Sequence, residues 1–402
     1  MDAYTLLVHG PQYLEALRGY PPDHPLRPLR GELAVGLMRA YGLLDDPGIV
    51  VQPPRLATGE ELERVHAPDY IERVRALGLL AEARGTGFEL QDSAYGLAPP
   101  DNPVFPGMHE AAALIAGGTT LAAEQVMAGQ AAHAFVPLGG LHHAMRARAS
   151  GFCIYNDAAV AIAGVLAAYP DARVVYVDLD AHYGDGMAAL FWTSPRVLAV
   201  SLHESGAYLF PGTGSVDDMG AGDGYGYTVN LPLEPFTGDE TYARAFAAVV
   251  PPLLRAYRPD LIVAQLGCDT HWTDPLTEMG MTTNIWAPLA GALHALAHEL
   301  CGGRLVALGG GGYQTYSVVP RAQTLDVAAL LGRGLPDEIP PAWLDRAAVL
   351  TDTPLPPRLS DPPAPALPPA RQQAIDAVTD TVIARVRAEI FPLHGMAGAT
   401  NL

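Results

Sequence analysis

Residues 174–186 read VVYVDLDAHYGDG, and this stretch decides the fold class. An apolar run comes first, and three aspartates and a histidine follow it directly. Soluble proteins rarely set so much charge against a core-forming run without a use for it. A continuous apolar run is typical of a strand buried on both faces of a parallel sheet. The stretch therefore predicts a buried strand that carries Asp178, Asp180, His182 and Asp185 to one edge of a sheet.

Four further apolar runs have the same form, because each ends in polar residues or glycine. They are HAFVPLGGLHH, RVLAVSLHE, LIVAQLGCD and RLVALGGGGY. Alanine-rich segments of helical length lie between the runs, at 157–168, 239–257 and 287–300. This alternation predicts an α/β fold with a mainly parallel central sheet flanked by helices. Ligands bind such folds at the carboxyl ends of the strands, where the polar residues of this chain cluster.

Composition narrows the classes of function. The chain has 402 residues, 49% of them hydrophobic, and a net charge of −19. The acidic balance argues against nucleic-acid binding through the general surface field, whereas it would attract cationic ligands. The three cysteines are too few for a disulfide framework, and neither a secretory signal nor a membrane-spanning run stands out. We expect a cytoplasmic protein with no nucleic-acid or membrane partner, and its oligomeric state stays open.

The proline content divides the chain near residue 350. Residues 351–370, TDTPLPPRLSDPPAPALPPA, are too rich in proline for a helix or a central strand. The helix-like stretch RQQAIDAVTDTVIARVRAEIF follows. We expect one domain over residues 1–350, with residues 351–402 packed back onto it.

Asp180 and His182 are two positions apart at the predicted end of a strand, so their side chains point to the same side. Asp269, at the end of another predicted strand, supplies a third ligand. Two carboxylates and one imidazole suit zinc or ferrous iron with an open coordination position. A calcium loop fails, because its twelfth position would be Ala189 and its glycine falls one position late. The competing interpretation is a loop anchored by hydrogen bonds alone.

Two further motifs suggest acid–base chemistry. His142 and His143 follow LGGL, and spare carboxylates at Asp178 and Asp185 are suited to orient them. The four glycines of LGGGGYQTY place the backbone close to a ligand, and Tyr313 then offers a hydroxyl to a developing oxyanion. Each motif alone also fits a purely structural role.

Taken together, these residues resemble the zinc-dependent histone deacetylase superfamily, which has an arginase-like fold. Within it the chain is most similar to the bacterial acetoin-utilisation deacetylases, which are class I-like. The resemblance runs from HPLRPLR to VVPRAQT, over more than three quarters of the chain. It rests on seven motifs in order: GGLHHA, GFCIYND, VDLDAHYGDG, SLHE, FPGTG, GCDTHWTDP and LGGGGY.

The resemblance implies a role for each matching position. It implies His143 as the general base and later the proton donor to the leaving amine, with Asp185 as its orienter. His142 is implied as an electrostatic partner backed by Asp178, and Tyr313 as the donor to the oxyanion. The implied zinc ligands are Asp180, His182 and Asp269. The implied substrate-binding residues are Asp101, Gly151, Phe152, Phe210, Leu276 and Gly311. The implied structural potassium site uses Asp178, Asp180, His182, Ser201 and Leu202.

The chain departs from the family pattern at four positions. Tyr183 stands where a second histidine is usual, and Cys268 where a small residue such as alanine is common. His271 and Trp272 are larger than the usual residues, so we expect them to reshape the floor or mouth of the pocket. These changes bear on rate and substrate preference more than on reaction type.

We therefore expect a metal-dependent hydrolase that removes acetyl groups from lysine side chains of an acetylated protein or peptide. The first alternative is an acetylpolyamine or small-amide deacetylase of the same superfamily. A non-catalytic module that binds acyl-lysine is the second. The ureohydrolases of the arginase-like fold are a weaker alternative, because they need a binuclear manganese cluster with more aspartate ligands.

Overall fold

The computed structural model describes residues 4–84 and 91–397. Within these ranges eight strands form one sheet, in which every neighbouring pair is parallel. The strand order is β2-β1-β3-β8-β7-β4-β5-β6. The strands are β1 Tyr4–Val8, β2 Ile49–Gln52, β3 Ala131–Val136, β4 Val174–Asp178, β5 Val197–Glu204, β6 Thr228–Leu233, β7 Leu261–Gln265 and β8 Leu305–Leu308.

Helices connect these strands and cover both faces of the sheet. Those of the described residues are α1 Gln12–Ala16, α2 Leu29–Ala40, α3 Gly59–Glu63, α4 Pro68–Arg84, α5 Met108–Met127, α6 Asp157–Ala168, α7 Asp185–Phe191, α8 Asp239–Tyr257, α9 Trp286–Cys301, α10 Val319–Leu330, α11 Pro341–Ala348 and α12 Pro369–Glu389. A mainly parallel α/β sheet was the prediction, and the structure confirms it with a sheet that is parallel throughout.

The central strands are buried on both faces, which is why their sequences are almost continuously apolar. In β4, Val175 and Val177 contribute to one core, while Val174 and Tyr176 contribute to the other. The first core is closed by α2, α8, α9 and α10, and the second by α4, α5 and α6. Each fully buried aliphatic side chain stabilises the fold by ~1.5–3 kcal/mol, so two cores hold the strands firmly in register.

The predicted helices at 157–168 and 239–257 have the observed bounds of α6 and α8. The strands are shorter than their apolar runs suggested. Because β4 ends at Asp178, Asp180 and His182 lie in the loop that follows the strand rather than within its last residues. Strands β1 and β2 were not predicted, since each is short and β2 is half exposed on the sheet edge.

Residues 351–368 lie along the body of the fold without helix or strand, and α12 begins at Pro369, two residues before the predicted helical stretch. Val382 and Val386 of α12 are buried in the first core. Asp361 lies 2.8 Å from the His271 imidazole and accepts a hydrogen bond of 2.8 Å from Arg321. These contacts agree with a tail packed on the body, although the division at residue 350 stays a prediction.

Within residues 4–84 and 91–397, no helix combines the length and the apolar character that a membrane crossing requires.

We predict that Asp361→Ala lowers the free energy of unfolding by ~3 kcal/mol, because it leaves the buried Arg321 without its carboxylate. Burial acts to raise the pKa of Asp361, but hydrogen bonds from His271 and Thr283 and the charge of Arg321 outweigh it and hold the pKa below its ordinary value. This stabilisation is therefore present at neutral pH and is lost as the pH falls below ~4. Urea unfolding measures it, with the exposed Asp352→Ala as control. Equal stabilities of the two variants would contradict the prediction.

Candidate active site

Asp180, His182 and Asp269 converge at the carboxyl edge of the sheet. Nδ1 of His182 lies 3.2 Å from a carboxylate oxygen of Asp180 and 2.9 Å from one of Asp269. All three side chains are buried. The loops after β4 and β7, which are neighbouring strands, bring them together as the sequence predicted.

This donor set fits a divalent cation. One donor atom from each of the three side chains lies within 4.8 Å of the others. With a neutral imidazole the group carries two negative charges, which is a neutralising shell for zinc or ferrous iron. Burial acts to lower the pKa of His182, yet hydrogen bonds to Asp180 and Asp269 raise it to about 10. The two carboxylates thus favour positive charge at this position.

Two histidine–aspartate pairs lie beside this group. Nδ1 of His142 is 2.8 Å from Asp178, and Nδ1 of His143 is 2.8 Å from Asp185. The Nε2 atoms of the two histidines are 3.1 Å apart. The four side chains therefore form two adjacent carboxylate–imidazole pairs, and their Nε2 atoms face each other with the ring planes at 64°.

The two imidazoles differ in protonation. Burial acts to lower the pKa of His142, but the charges of Asp178 and Asp180 outweigh it and raise the pKa to about 9. Burial and then the charge of His142 lower the pKa of His143 to about 4. Two imidazolium rings this close would repel each other, so one ring keeps its proton and the other is free to accept one.

The start of α6 fixes the loop that carries both histidines. Asn156 accepts a hydrogen bond from the backbone of α6 and donates from its side-chain amide to the carbonyls of His142 and Ala144. The carboxylate of Asp157 accepts hydrogen bonds from the backbone N–H groups of Gly140 and Leu141. Asn156 thus caps α6, and together with Asp157 it holds the loop that carries His142 and His143.

Two aromatic rings flank the histidines at the surface. The ring of Phe210 is 5.0 Å from that of His143, and Phe210 is 45% exposed. Phe152 has a φ of 70° and packs its ring 4.5 Å from that of His24. Gly151 lies between, with a φ of 48°, and a Cβ there would come within 2.4 Å of the His143 ring.

Tyr313 lies across the site from the histidines. Its ring is 6.3 Å from that of His182 and 5.8 Å from that of Phe152. Burial and then the charges of Asp269 and Asp180 raise the pKa of its hydroxyl well above the ordinary value. The hydroxyl therefore stays protonated and able to donate. The backbone N–H of Tyr313 donates to the buried Asp274, at 3.0 Å.

The loop before Tyr313 lies directly against the side chains of Asp180 and Asp269. The N–H of Gly311 donates to Asp180 at 2.7 Å. A Cβ on Gly311 would come within 2.2 Å of an Asp269 oxygen and 2.6 Å of an Asp180 oxygen. The four glycines predicted a backbone that passes close to the site. In the structure this backbone passes against the carboxylates of Asp180 and Asp269.

The remaining predicted residues lie around this centre. Asp101 is exposed, and its backbone carbonyl lies 3.1 Å from the His24 imidazole that packs on Phe152. Leu276 donates its N–H to Asp274. For the potassium site, Asp178 and Ser201 are paired in the β4–β5 register, with Leu202 next along β5. Their roles in binding substrate or potassium stay predictions.

Of the four departures from the family pattern, two lie elsewhere than expected. His271 turns to Asp361 and Thr273, at 2.8 and 2.9 Å, and so ties the C-terminal segment to the body of the fold. Trp272 borders a surface groove formed with the loop at Phe236 and the proline-rich segment. Cys268 is buried against Gly312. Tyr183 is buried, and its ring centroid lies 4.9 Å from that of His203, against which it packs.

Several residues of the site were not predicted individually. Gln265 donates its side-chain amide to the Gly140 carbonyl and joins the β7 end to the histidine loop. Asp274 is buried, and burial followed by the charge of Asp269 raises its pKa to about 8. Arg30, from α2, is buried and donates to the Gly312 carbonyl. A polar residue ending an apolar run signals Gln265, whereas Arg30 lies in a helix that offers no such signal.

A parallel α/β sheet with two buried carboxylate–imidazole pairs beside a cation-binding group is typical of a hydrolase. The chain belongs to the histone deacetylase family: its residues 24–330 match the histone deacetylase domain. This membership supports a deacetylase activity.

Curated relatives agree over most of the chain. It is 43% identical to the acetoin utilization protein AcuC of Bacillus subtilis strain 168 over 361 residues, which cover 89% of this chain and 90% of that protein. It is 38% identical to AcuC of Staphylococcus xylosus, over 84% of this chain and 86% of the relative. It is 36% identical to AcuC of Staphylococcus aureus strain Mu50, over 84% of this chain and 85% of that protein.

We predict that Gly151→Ala lowers deacetylase kcat/KM ~10²-fold, because the new methyl group displaces the His143 ring. Gly129→Ala is the matched control, since Gly129 also has a positive φ of 70° but open space around its Cβ. Steady-state kinetics on an acetyl-lysine peptide compares the two variants. Similar losses in both would attribute the effect to backbone strain rather than to the histidine.

Proposed function

We propose that the protein is a zinc-dependent amidohydrolase that removes acetyl and other acyl groups from the lysine side chains of proteins. The observation that carries the proposal is one buried site that combines the Asp180–His182–Asp269 group with the His142–Asp178 and His143–Asp185 pairs. The membership in the histone deacetylase family supports it independently.

Asp180, His182 and Asp269 would hold the metal. When bound, zinc polarises the substrate carbonyl and lowers the pKa of a water molecule. The protein's part is to keep the three ligands in place, and Gly311 and Ala181 support this by donating backbone N–H groups to Asp180 and Asp269.

His143 is proposed as the base. Its Nδ1 faces Asp185, so Nε2 is the atom that accepts a proton from the attacking water while the water oxygen bonds to the amide carbon. The same nitrogen then gives that proton to the lysine amine as the carbon–nitrogen bond breaks, leaving acetate. The low pKa of His143 supports this role, because the ring is unprotonated at neutral pH.

His142 is proposed to act through its charge. Its raised pKa keeps it protonated next to Asp178 and Asp180. A positive imidazole 3.1 Å from Nε2 of His143 stabilises the negative charge that develops on the substrate oxygen. The same positive charge lowers the proton affinity of His143, so that His143 can give the proton to the amine.

We propose that the rings of Phe152 and Phe210 contact the extended, apolar stem of the acyl-lysine substrate. Phe152 and Phe210 flank the approach to His143 and present rings rather than charges. The exposed Asp101 is proposed to hold the substrate backbone at the rim. The net charge of −19 also favours a cationic small amide, so acetylpolyamines are the second candidate substrate.

We predict that Tyr313→Phe lowers kcat by ~10²-fold or more with little change in KM, because the hydroxyl is needed only when the oxyanion forms. Tyr316→Phe is a matched control, since the Tyr316 hydroxyl lies beside the exposed Arg27 side chain. Acetate release from an acetyl-lysine peptide measures both. If Tyr313→Phe retains wild-type kcat, Tyr313 is not the oxyanion donor.

We predict that turnover of an acetyl-lysine peptide stops on chelation and returns with zinc, and that it exceeds turnover of acetylputrescine and acetylspermine. Asp269→Asn is expected to abolish both activity and zinc binding at this site. Faster turnover of the acetylpolyamines would transfer the proposal to that substrate class. Binding of acylated peptide with no acetate release, in zinc-loaded protein, would favour the non-catalytic module.

A further inference from the structure

Three histidines meet at a second place on the sheet, away from the acid–base site. His133 lies in the first half of β3, and His294 and His298 lie four residues apart on α9. Their Nε2 atoms form a nearly equilateral triangle, with sides of 3.1, 3.2 and 3.2 Å. Because β3 enters the sheet at this end and delivers His142 and His143 beyond its other end, the cluster and the active site lie towards opposite edges of the sheet.

The three rings point their tips at one another. Their centroids are 4.5, 4.6 and 5.0 Å apart, so they diverge behind the closer nitrogens. The ring planes are nearly perpendicular in each pair, at 71° to 85°. The Nε2 atoms therefore face a common point.

Hydrogen bonds alone do not account for this triangle. A neutral imidazole has one N–H, and each Nε2 is either a donor or an acceptor. Among three nitrogens that all lie within 3.2 Å of one another, at least one pair must bring two donors or two acceptors together. A cation removes this conflict, because all three nitrogens then offer lone pairs to the same atom.

The dimensions suit a transition metal. Nitrogens bound to one ion at ~2.0–2.1 Å, with angles between square and tetrahedral, lie ~2.8–3.4 Å apart. An ion ~1 Å out of the plane of this triangle would be ~2.1 Å from all three nitrogens. Zinc, nickel and copper accept imidazole ligands in this way.

Packing holds the rings in place. Gly303 has a φ of 88°, and a Cβ there would lie 3.1 Å from a carbon of His298 and 3.3 Å from a carbon of His133. The backbone of the CGGR turn after α9 therefore lies directly against two of the three rings. His133 is 4% exposed, so its side chain is fixed within the core while the other two approach it from the surface.

We propose that His133, His294 and His298 form a second metal site, which takes a divalent ion of the zinc, nickel or copper class. Water completes the coordination on the exposed side of His298. The ion joins α9 to β3, so its role is to fix that helix on the sheet. This site is independent of the proposed zinc site at Asp180, His182 and Asp269.

The protonation of the cluster agrees with metal binding. Burial, followed by the charges of His294 and His298, lowers the pKa of His133 to about 4. Burial and then His298 also lower the pKa of His294. A proton therefore does not compete strongly with a metal ion for the nitrogens of His133 and His294 at neutral pH.

The experiment counts zinc on the untagged full chain after metal removal and re-addition of zinc, with affinities from competition against a chromophoric chelator. We expect two zinc ions per chain in the wild type and one in each of His298→Ala and Asp269→Asn. In the Asp269→Asn background the remaining ion should also raise Tm by ~3 °C at a hundredfold excess over Kd. That rise should disappear when His294→Ala or His298→Ala is added.

His394→Ala is the control, because it removes a partly exposed histidine that lies 2.8 Å from the Gly226 carbonyl, far from α9 in sequence. It should bind zinc as the wild type does. The inference is overturned if His298→Ala binds as many ions as tightly as the wild type, or if Asp269→Asn binds none. Loss of all zinc from His298→Ala, with one ion kept by Asp269→Asn, would uphold this site and reject the metal of the proposed function.

Discussion

Buried negative charge at the carboxyl edge of the sheet is the constraint on which the rest of the site depends. Asp178, Asp180 and Asp269 are all almost fully buried there. An uncompensated carboxylate in such a place costs several kcal/mol. Besides the His142 and His182 imidazoles, backbone N–H groups compensate this charge: Asp178 accepts from Asp180, Asp180 from His182 and Gly311, and Asp269 from Ala181. The loops at three strand ends are therefore bound to the carboxylates and through them to one another.

This constraint explains the glycines. At Gly311 and Gly267 the backbone passes so close to the buried carboxylates that a Cβ would strike them, at 2.2 Å from Asp269 and at 2.1 Å from Asp180 respectively. Gly140 has a φ of 102° and is limited instead by a neutral side chain, because a Cβ there would come within 2.0 Å of the Gln265 amide oxygen. Gly267 and Gly311 are thus required by the close packing of backbone against the buried carboxylates. A site held this rigidly suits chemistry in which the base must stay at one distance from the reacting atoms.

The fold class and the order of the central strands could be predicted from the sequence because both depend on local patterns, whereas the strand ends were placed too late. Apolar runs followed by polar residues predicted β4 and β7, and hence the meeting of Asp180 with Asp269. The role of a residue whose partners lie far away in the sequence could not be predicted from local patterns. His271 lies next to the site in sequence, but Asp361, ninety residues on, draws it away from the pocket. Asn156 and Gln265 hold the histidine loop only because α6 and β7 pack beside it, which no single run reveals.

The two groups of side chains proposed to bind metal differ in charge. Asp180 and Asp269 set two carboxylates around the His182 imidazole and would neutralise a divalent ion. The cluster on α9 offers three neutral imidazoles and leaves the charge of the ion uncompensated locally. Coordination by the three imidazoles would then have to offset this charge, and the net charge of −19 of the whole chain would add only a screened attraction. An ion held by the three imidazoles would join α9 to β3, whereas the two carboxylate–imidazole pairs that could move protons lie beside Asp180, His182 and Asp269.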